Sequence, residues 1–268
     1  MLLMLKLVLV PAFLAALTVA ARLWGPSVAG WLAGLPVVAG PIVLLLALER
    51  GPLFAAQASA ASIAAIAGSE AFNLAYAWTC RRVAWPLALL AGLAGWLTLA
   101  LLLAHLPASL GWAVAAACAG VAVSQSGLPR VTGHVPAARV GLADLAVRML
   151  AGALLTVAVT SLSASMGATW SGLLSVFPLL GIVLAVSAQR AHGADFVALL
   201  MRGMMIGRGS FAAFFAVSAT LLPRYGVGLS FACAALASLV VQGVTRCMLG
   251  AKRPARTVSR ELAEQQTE

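Results

Sequence analysis

The sequence predicts an all-α membrane protein, a polytopic transmembrane bundle of about nine spans built from two homologous four-helix repeats in opposite orientation. Three observations predict it. Of 268 residues, 63% are hydrophobic and only 9% charged, with a mean hydropathy of +1.04; a soluble globular chain is about half apolar and about a quarter charged. Long apolar runs alternate with short connections carrying Gly, Pro and Arg. The chain also matches itself at a fixed offset. Such a composition excludes a water-soluble enzyme, a DNA-binding domain and a disordered chain.

The apolar runs follow in order. Residues 2–21 form the first, with Lys6 near its start. Val19-Ala20-Ala21 has the form of a signal-peptide cleavage site, but the internal repeat favours a retained membrane helix. The next runs are 27–48, opened by Trp24-Gly25-Pro26, then 53–78 and 85–104. A shorter run, 110–124, follows His105-Leu106-Pro107, and a polar connection covers 125–139. Runs 142–162, 170–188, 196–222 and 226–249 complete the membrane part, and 251–268 is a polar tail. A span needs about twenty apolar residues at 1.5 Å each. Eight runs meet that, and 110–124 is marginal, as a span or as a re-entrant piece.

Charge settles the expected topology. The net charge is +10. In a soluble protein that would point to nucleic acid. Here the basic residues sit in connections and in the tail, where they set orientation toward the lipid bilayer. Placing Lys252, Arg253, Arg256 and Arg260 in the cytoplasm and counting nine spans back keeps Arg190, Arg130, Arg139, Arg81, Arg82 and Arg22 inside as well. Eight spans would move Arg81 and Arg82 outside. The expected location is a bacterial inner membrane, multi-pass, with a cytoplasmic C-terminus. Trp24, Trp78, Trp85, Trp112 and Trp170 fall near span ends, where an aromatic belt belongs.

Shifting the chain by 142 positions brings Lys6 onto Arg148, Gly25 onto Gly167, Gly30 onto Gly172 and Leu32 onto Leu174. The same shift brings Pro36 onto Pro178, Gly51 onto Gly193, Phe54 onto Phe196 and Phe72 onto Phe214, without a gap. Matches of Gly, Pro, Phe and basic residues carry more weight than Leu and Ala coincidences in such a composition. The expected organisation is a first membrane repeat at 1–108, an extra short span with a polar linker at 109–140, a second repeat at 141–250 and a basic cytoplasmic tail at 251–268. If 110–124 spans, the halves are inverted; if it does not, they are parallel.

Lys6, Ala29-Gly30, Leu35-Pro36 and Leu48-Glu49-Arg50-Gly51 in the first half, with Arg148, Gly172-Leu173-Leu174, Phe177-Pro178 and Gly193 in the second, resemble the GlpM-like family of small bacterial membrane proteins. The resemblance implies a four-helix membrane unit, here fused in duplicate, and an association with exopolysaccharide production without an established catalytic chemistry. The second half departs from the acidic motif, with Arg190-Ala191-His192 standing where the first has Leu48-Glu49-Arg50.

Candidate functional residues fall in two groups. Gly34, Pro36, Gly40 and Pro41 interrupt the second span, and Pro178 and Gly181 interrupt the seventh at similar depth. Proline removes a helical hydrogen bond and clashes with the preceding turn. Matched breaks in two halves point to a transporter binding site, although a packing kink explains them as well. The second group is intramembrane charge. Glu70 lies in the third span, and Arg202 and Arg208 in the eighth. Counted from the cytoplasmic ends, Glu70 lies about 13 Å deep, Arg202 about 12 Å and Arg208 about 21 Å. By depth Glu70 pairs with Arg202 and leaves Arg208 free for an anion, whose geometry its guanidinium matches. The competing arrangement is a static Glu70–Arg208 pair with Arg202 snorkelling outward. Ser59, Ser62, Ser69, Glu70, Asn73 and Tyr76 share one face of the third span, as the wall of a polar path or as interhelical hydrogen bonds. Asp144 stands one turn before Arg148, and the two pair along the helix.

Four scattered cysteines and three histidines show neither C-x-x-C spacing nor a ligand cluster, so no disulfide framework, metal site or cofactor is expected. The leading expectation is a secondary transporter or exporter of a small anionic or amphipathic solute, with Glu70 as a candidate proton carrier. The alternative is a non-transporting accessory protein that supports envelope or exopolysaccharide assembly. Expected partners are the bilayer, a small-molecule solute, and a second copy or an envelope-assembly partner. No nucleophile–base pair supports an enzyme.

Overall fold

The computed structural model describes residues 2–105, 109–131 and 142–251, with side chains described over 10–105, 109–131, 145–159, 161–162 and 166–248. The side chains of Lys6 and Asp144, most of the polar connection with His134 and Arg139, and the basic tail beyond 251 lie outside the described residues.

The described secondary structure is all helical: α1 (Leu2–Trp24), α2 (Pro26–Ala33), α3 (Ala39–Arg50), α4 (Pro52–Thr79), α5 (Trp85–Ala104), α6 (Leu110–Gly127), α7 (Leu142–Ser165), α8 (Ala168–Ser175), α9 (Leu179–His192), α10 (Ala194–Tyr225) and α11 (Val227–Ala251). Among the described residues, six segments are long and apolar enough to cross a membrane: α4, α5, α6, the α8–α9 segment, α10 and α11. The chain is thus a multi-pass, lipid-embedded helical protein. The short run at 110–124 forms a continuous helix, α6, of 18 residues.

The runs at 27–48 and 170–188 are not single helices. Each is split in two, because Pro36 and Pro178 have no N–H to continue the ladder. Both breaks are built the same way. At the first, the N–H groups of Gly34 and Leu35 turn back to the carbonyls of Trp31 and Leu32, and Gly40 N–H reaches the Pro36 carbonyl. At the second, Val176 and Phe177 turn back to Leu173 and Leu174, and Ile182 reaches Pro178. Each of these bonds recurs 142 positions later. Gly51 and Gly193, at φ of 91° and 83°, take the left-handed turn that leads into α4 and α10.

α4 and α10 form the centre and pack along each other. Arg81, just past the end of α4, pairs with Asp195 at the start of α10 at 3.6 Å, and Glu70 meets Arg208 further in. The two helices therefore run antiparallel. α5 and α6 lie on α4, α11 lies on α10, and α1 packs on α7. The short helices cross over: α2 packs on α10 and α8 on α4. Both crossings need glycine. A Cβ at Gly30 would overlap the Leu200 carbonyl, and one at Gly172 would overlap the Ala58 carbonyl. Those two contacts are also related by the 142-residue offset. On α10, Gly203 and Gly207 face Ser27, Trp31 and Gly34 in turn, so two G-x-x-x-G faces interlock.

Apolar residues are buried in two clusters. One holds Phe72, Tyr76, Met201 and Met204; the other holds Ile63, Ile66, Phe211 and Phe215. On α4 and α10 the residues between these clusters include Ser69, Glu70, Arg208 and Ser210, so a polar layer crosses the middle of the bundle. Leu87, Leu90, Leu97 and Leu101 of α5 and Leu229, Leu236 and Leu239 of α11 face outward, as lipid-facing helices require. Trp24, Trp78, Trp85 and Trp112 are exposed near helix ends.

Candidate functional site

Glu70 is 1% exposed. Its Oε1 accepts from Arg208 Nε at 2.8 Å and from Asn73 Nδ2 at 3.4 Å. Among the described residues, Glu70 Oε2 and Asn73 Oδ1 have no hydrogen-bond partner.

This corrects the pairing expected from depth, in which Glu70 met Arg202. Arg202 instead donates from Nε to the Pro129 carbonyl at 3.0 Å, and from a terminal nitrogen to the Leu128 carbonyl. The reason is side-chain direction. Helical side chains lean toward their own N-terminus. On antiparallel helices, Glu70 leans away from the α4 C-terminal end, and Arg208 leans back toward that end, so they converge. Arg202 leans further along the same way and leaves Glu70 behind, capping the carbonyls that follow α6.

Beside the pair is a cavity of about 50 Å³ lined from both helix breaks. Ala33, Leu35, Val38 and Ala39 come from the first break, and Ser175 through Gly181 from the second. Ser69 and Asn73 of α4 and Met204, Arg208 and Phe211 of α10 complete the wall. α3 begins at Ala39 and α9 at Leu179, so two helix N-termini border this space. Such ends carry a partial positive charge. With Arg208 they make the wall electropositive, and Glu70 offsets the guanidinium from behind. A volume of this size holds a few water-sized species or one small ion.

Of the residues singled out in the sequence, Ser69, Asn73, Arg208, Pro178 and Gly181 line the cavity, and Glu70 supports it through Arg208 and Asn73. Gly34 packs against Gly207. Pro36, Gly40 and Pro41 line a separate apolar groove of about 400 Å³ with Phe214, Phe231 and Leu239. Tyr76 is also elsewhere: its hydroxyl donates to Gln189 Oε1 at 2.8 Å. Gln189 Nε2 in turn donates to the carbonyls of Cys80 and Val83, tying α9 to the connection after α4.

The serine face of α4 serves the broken helix. Ser62 Oγ lies 2.8 Å from the Ala58 carbonyl of its own helix, 3.2 Å from the Gly172 carbonyl and 2.8 Å from Ser175 Oγ, which itself bonds the Gly172 carbonyl, and Ser69 Oγ donates to the Val176 carbonyl at 3.0 Å. Among the described residues Ser59 bonds within its own helix, at Ala55. At the first break Gln242 of α11 donates to the Trp31 carbonyl at 2.9 Å. Ser175, Gln189 and Gln242 were not visible as site-supporting residues in the sequence. Ser175 stands three residues before Pro178, which is the one pointer to it. Among the described residues no group of three or more His, Cys, Asp or Glu side chains is placed to hold a metal.

Comparison with protein-family models, with curated proteins and with solved structures finds no match to this chain.

Proposed function

We propose that this chain is a secondary transporter of a small anionic or amphipathic solute, and that the cavity between the two helix breaks is where the anionic group of that solute binds. The observation that carries the reading is the meeting of both breaks at one buried space with Arg208 on its wall. Helix N-termini and a guanidinium around a cavity favour an anion. Glu70, behind Arg208, is the candidate carrier of a coupling proton, a role that intramembrane carboxyls fill in pumps and transporters. Arg208 is the one charged group set against it among the described residues; α5 and α8 carry no titratable residue, and α6 carries only Cys118.

The same proposal includes nine spans in two inverted four-helix halves, with the C-terminus in the cytoplasm of a bacterial cell. Its support is the recurrence of the break hydrogen bonds at a 142-residue offset and the antiparallel run of α4 and α10. With α6 crossing, four crossings lie between α4 and α10 (α5, α6, α7 and the α8–α9 segment), and an even number leaves the two helices antiparallel. Without it, they would be parallel.

The test is uptake of labelled mono- and dicarboxylates and of inorganic phosphate by protein reconstituted in liposomes. Wild-type flux of at least one of these, lost in Arg208→Gln and partly kept in Arg208→Lys, is expected. In Glu70→Gln, flux is expected to lose its dependence on a pH gradient. Unchanged flux in Arg208→Gln overturns the site. Unchanged pH dependence in Glu70→Gln removes the proton role. Absence of any flux, with co-purification of an envelope-synthesis complex, would replace transport by the accessory role.

A further inference from the structure

Arg208 borders two spaces. One is the central cavity; the other is a lateral groove of about 480 Å³ between α6 and α10, floored by Ile66 of α4. The groove is walled by Ala117, Cys118, Val121, Met205 and Ile206, with Gln125 and Arg208 as its hydrogen-bonding side chains. α6 and α10 barely touch, because each packs on α4 instead, and the groove is the gap left between them. Cys118, Gln125 and Gly209 are exposed, so the groove opens sideways, where an embedded chain meets lipid.

We infer that this groove binds a single-chain carboxylic acid, a free fatty acid drawn from the bilayer, with its carboxylate on Arg208 and its chain along α6. Three features argue for that occupant. Arg208 uses its Nε on Glu70, while its terminal nitrogens make no hydrogen bond among the described residues. A guanidinium fork matches a carboxylate. The volume is that of a small-molecule site, and its wall is apolar apart from one cation and one amide, the composition that an acyl chain with a terminal anion requires. Depth excludes an ordinary phospholipid. Arg208 lies more than about 20 Å from either end of α10, near the middle of a hydrocarbon layer about 30 Å thick. A two-chain lipid keeps its phosphate at the interface, out of reach; a single-chain acid in its neutral form can enter the layer whole. The inference rests on the reading of Arg208 as an anion-binding group and adds the class of solute and its route.

The experiment uses the full chain in nanodiscs, photoactivatable palmitate with a diazirine on its chain, and labelled palmitate for equilibrium binding. Crosslinks are expected within 117–125 of α6 and 205–212 of α10. Binding is expected to weaken by about tenfold or more in Arg208→Gln, as loss of a charge-assisted pair implies. Cys118→Trp changes an exposed groove position and avoids the buried ion pair, so it fills the site without threatening the fold; it should abolish the same crosslinks. Methyl palmitate, which has no carboxylate, should not compete. Undiminished palmitate binding in Cys118→Trp, crosslinks spread over α5 and α11, or full competition by the methyl ester would overturn the groove. Small-anion flux that depends on Arg208, without palmitate binding, overturns the groove alone and leaves the central cavity standing. Specific palmitate binding without flux of any anion supports the groove and overturns transport.

Discussion

At the break between α2 and α3, the carbonyl of Trp31, which also accepts from Gly34, is met by Gln242 from α11, and the helix is pressed against α10 by Gly30 and Gly34. At the break between α8 and α9, the carbonyls of Gly172 and Val176 are met by Ser62 and Ser69 from α4. The turn-back hydrogen bonds are the same at both. What differs is the helix underneath. α10 offers glycines, Met204 and Phe211; α4 offers serines, Glu70 and Asn73. At the 142-residue offset Glu70 corresponds to Ala212, and Arg208 to Ile66. One backbone device can therefore be held by close packing on one side and by hydroxyl groups on the other. The cavity between them takes hydroxyl and amide groups from α4 and a single cation, Arg208, from α10, which gives a solute a preferred way to face.

The largest effect should come from the packed side. Gly207→Leu forces a side chain into the Trp31 carbonyl and Gly34, where backbone cannot yield. The expected result is loss of monodisperse protein on size-exclusion chromatography; recovery at wild-type yield would show that the α2–α10 contact is not tight. Next comes the central pair. Removing either charge alone strands its buried partner and should cost about 3–5 kcal/mol. The double variant Glu70→Gln with Arg208→Gln should regain much of that in thermal unfolding. If the double variant merely adds the two losses, the residues are not coupled.

Smaller changes compare the breaks directly. Ser69→Ala removes the side-chain donor to the Val176 carbonyl, and Gln242→Leu leaves the Trp31 carbonyl with the Gly34 N–H alone; interhelical bonds of this kind contribute about 0.6–2 kcal/mol. Similar losses of stability are expected from both. Flux should fall only with Ser69→Ala, because Ser69 lines the cavity and Gln242 does not. Equal flux losses would erase the distinction between the two sides. The smallest effect lies at the Tyr76–Gln189 brace. Burial pushes the Cys80 thiol up to about 11, so at pH 7.5 almost none is thiolate and alkylation by iodoacetamide should be slow. It should accelerate only as pH rises toward that value. Tyr76→Phe loosens the brace at a cost of about 0.5–1.5 kcal/mol and should raise Cys80 labelling at fixed pH. Labelling of Cys80 as fast as that of exposed Cys247 in the wild type would show that the brace does not cover it.

Class and interruptions were legible without coordinates. Apolar length reports a helix in lipid because each span must satisfy its own backbone where no water can. Pro36 and Pro178 announce their breaks because proline cannot donate and the two recur at the 142-residue offset, whereas Pro11 sits inside α1 without splitting it. The α4 polar face was legible as a face, since helical spacing is local. Its use was not: the carbonyls that Ser62 and Ser69 serve belong to α8 and the break that follows it, more than a hundred residues away.

Three matters needed the folded chain. Glu70 meets Arg208 and not Arg202, because antiparallel packing turns the lean of two side chains toward each other; a count along each helix carries no such direction. Pro36, Gly40 and Pro41 line a groove of their own while Pro178 and Gly181 line the cavity, because α2 crosses α10 and α8 crosses α4. Arg208 borders both the cavity and the lateral groove, because α6 and α10 each pack on α4 and leave a gap between them. Length, polarity and proline act within one helix and can be read from one helix. Pairing, crossing and gaps are properties of helices far apart in the chain, set by which small residues let two backbones approach.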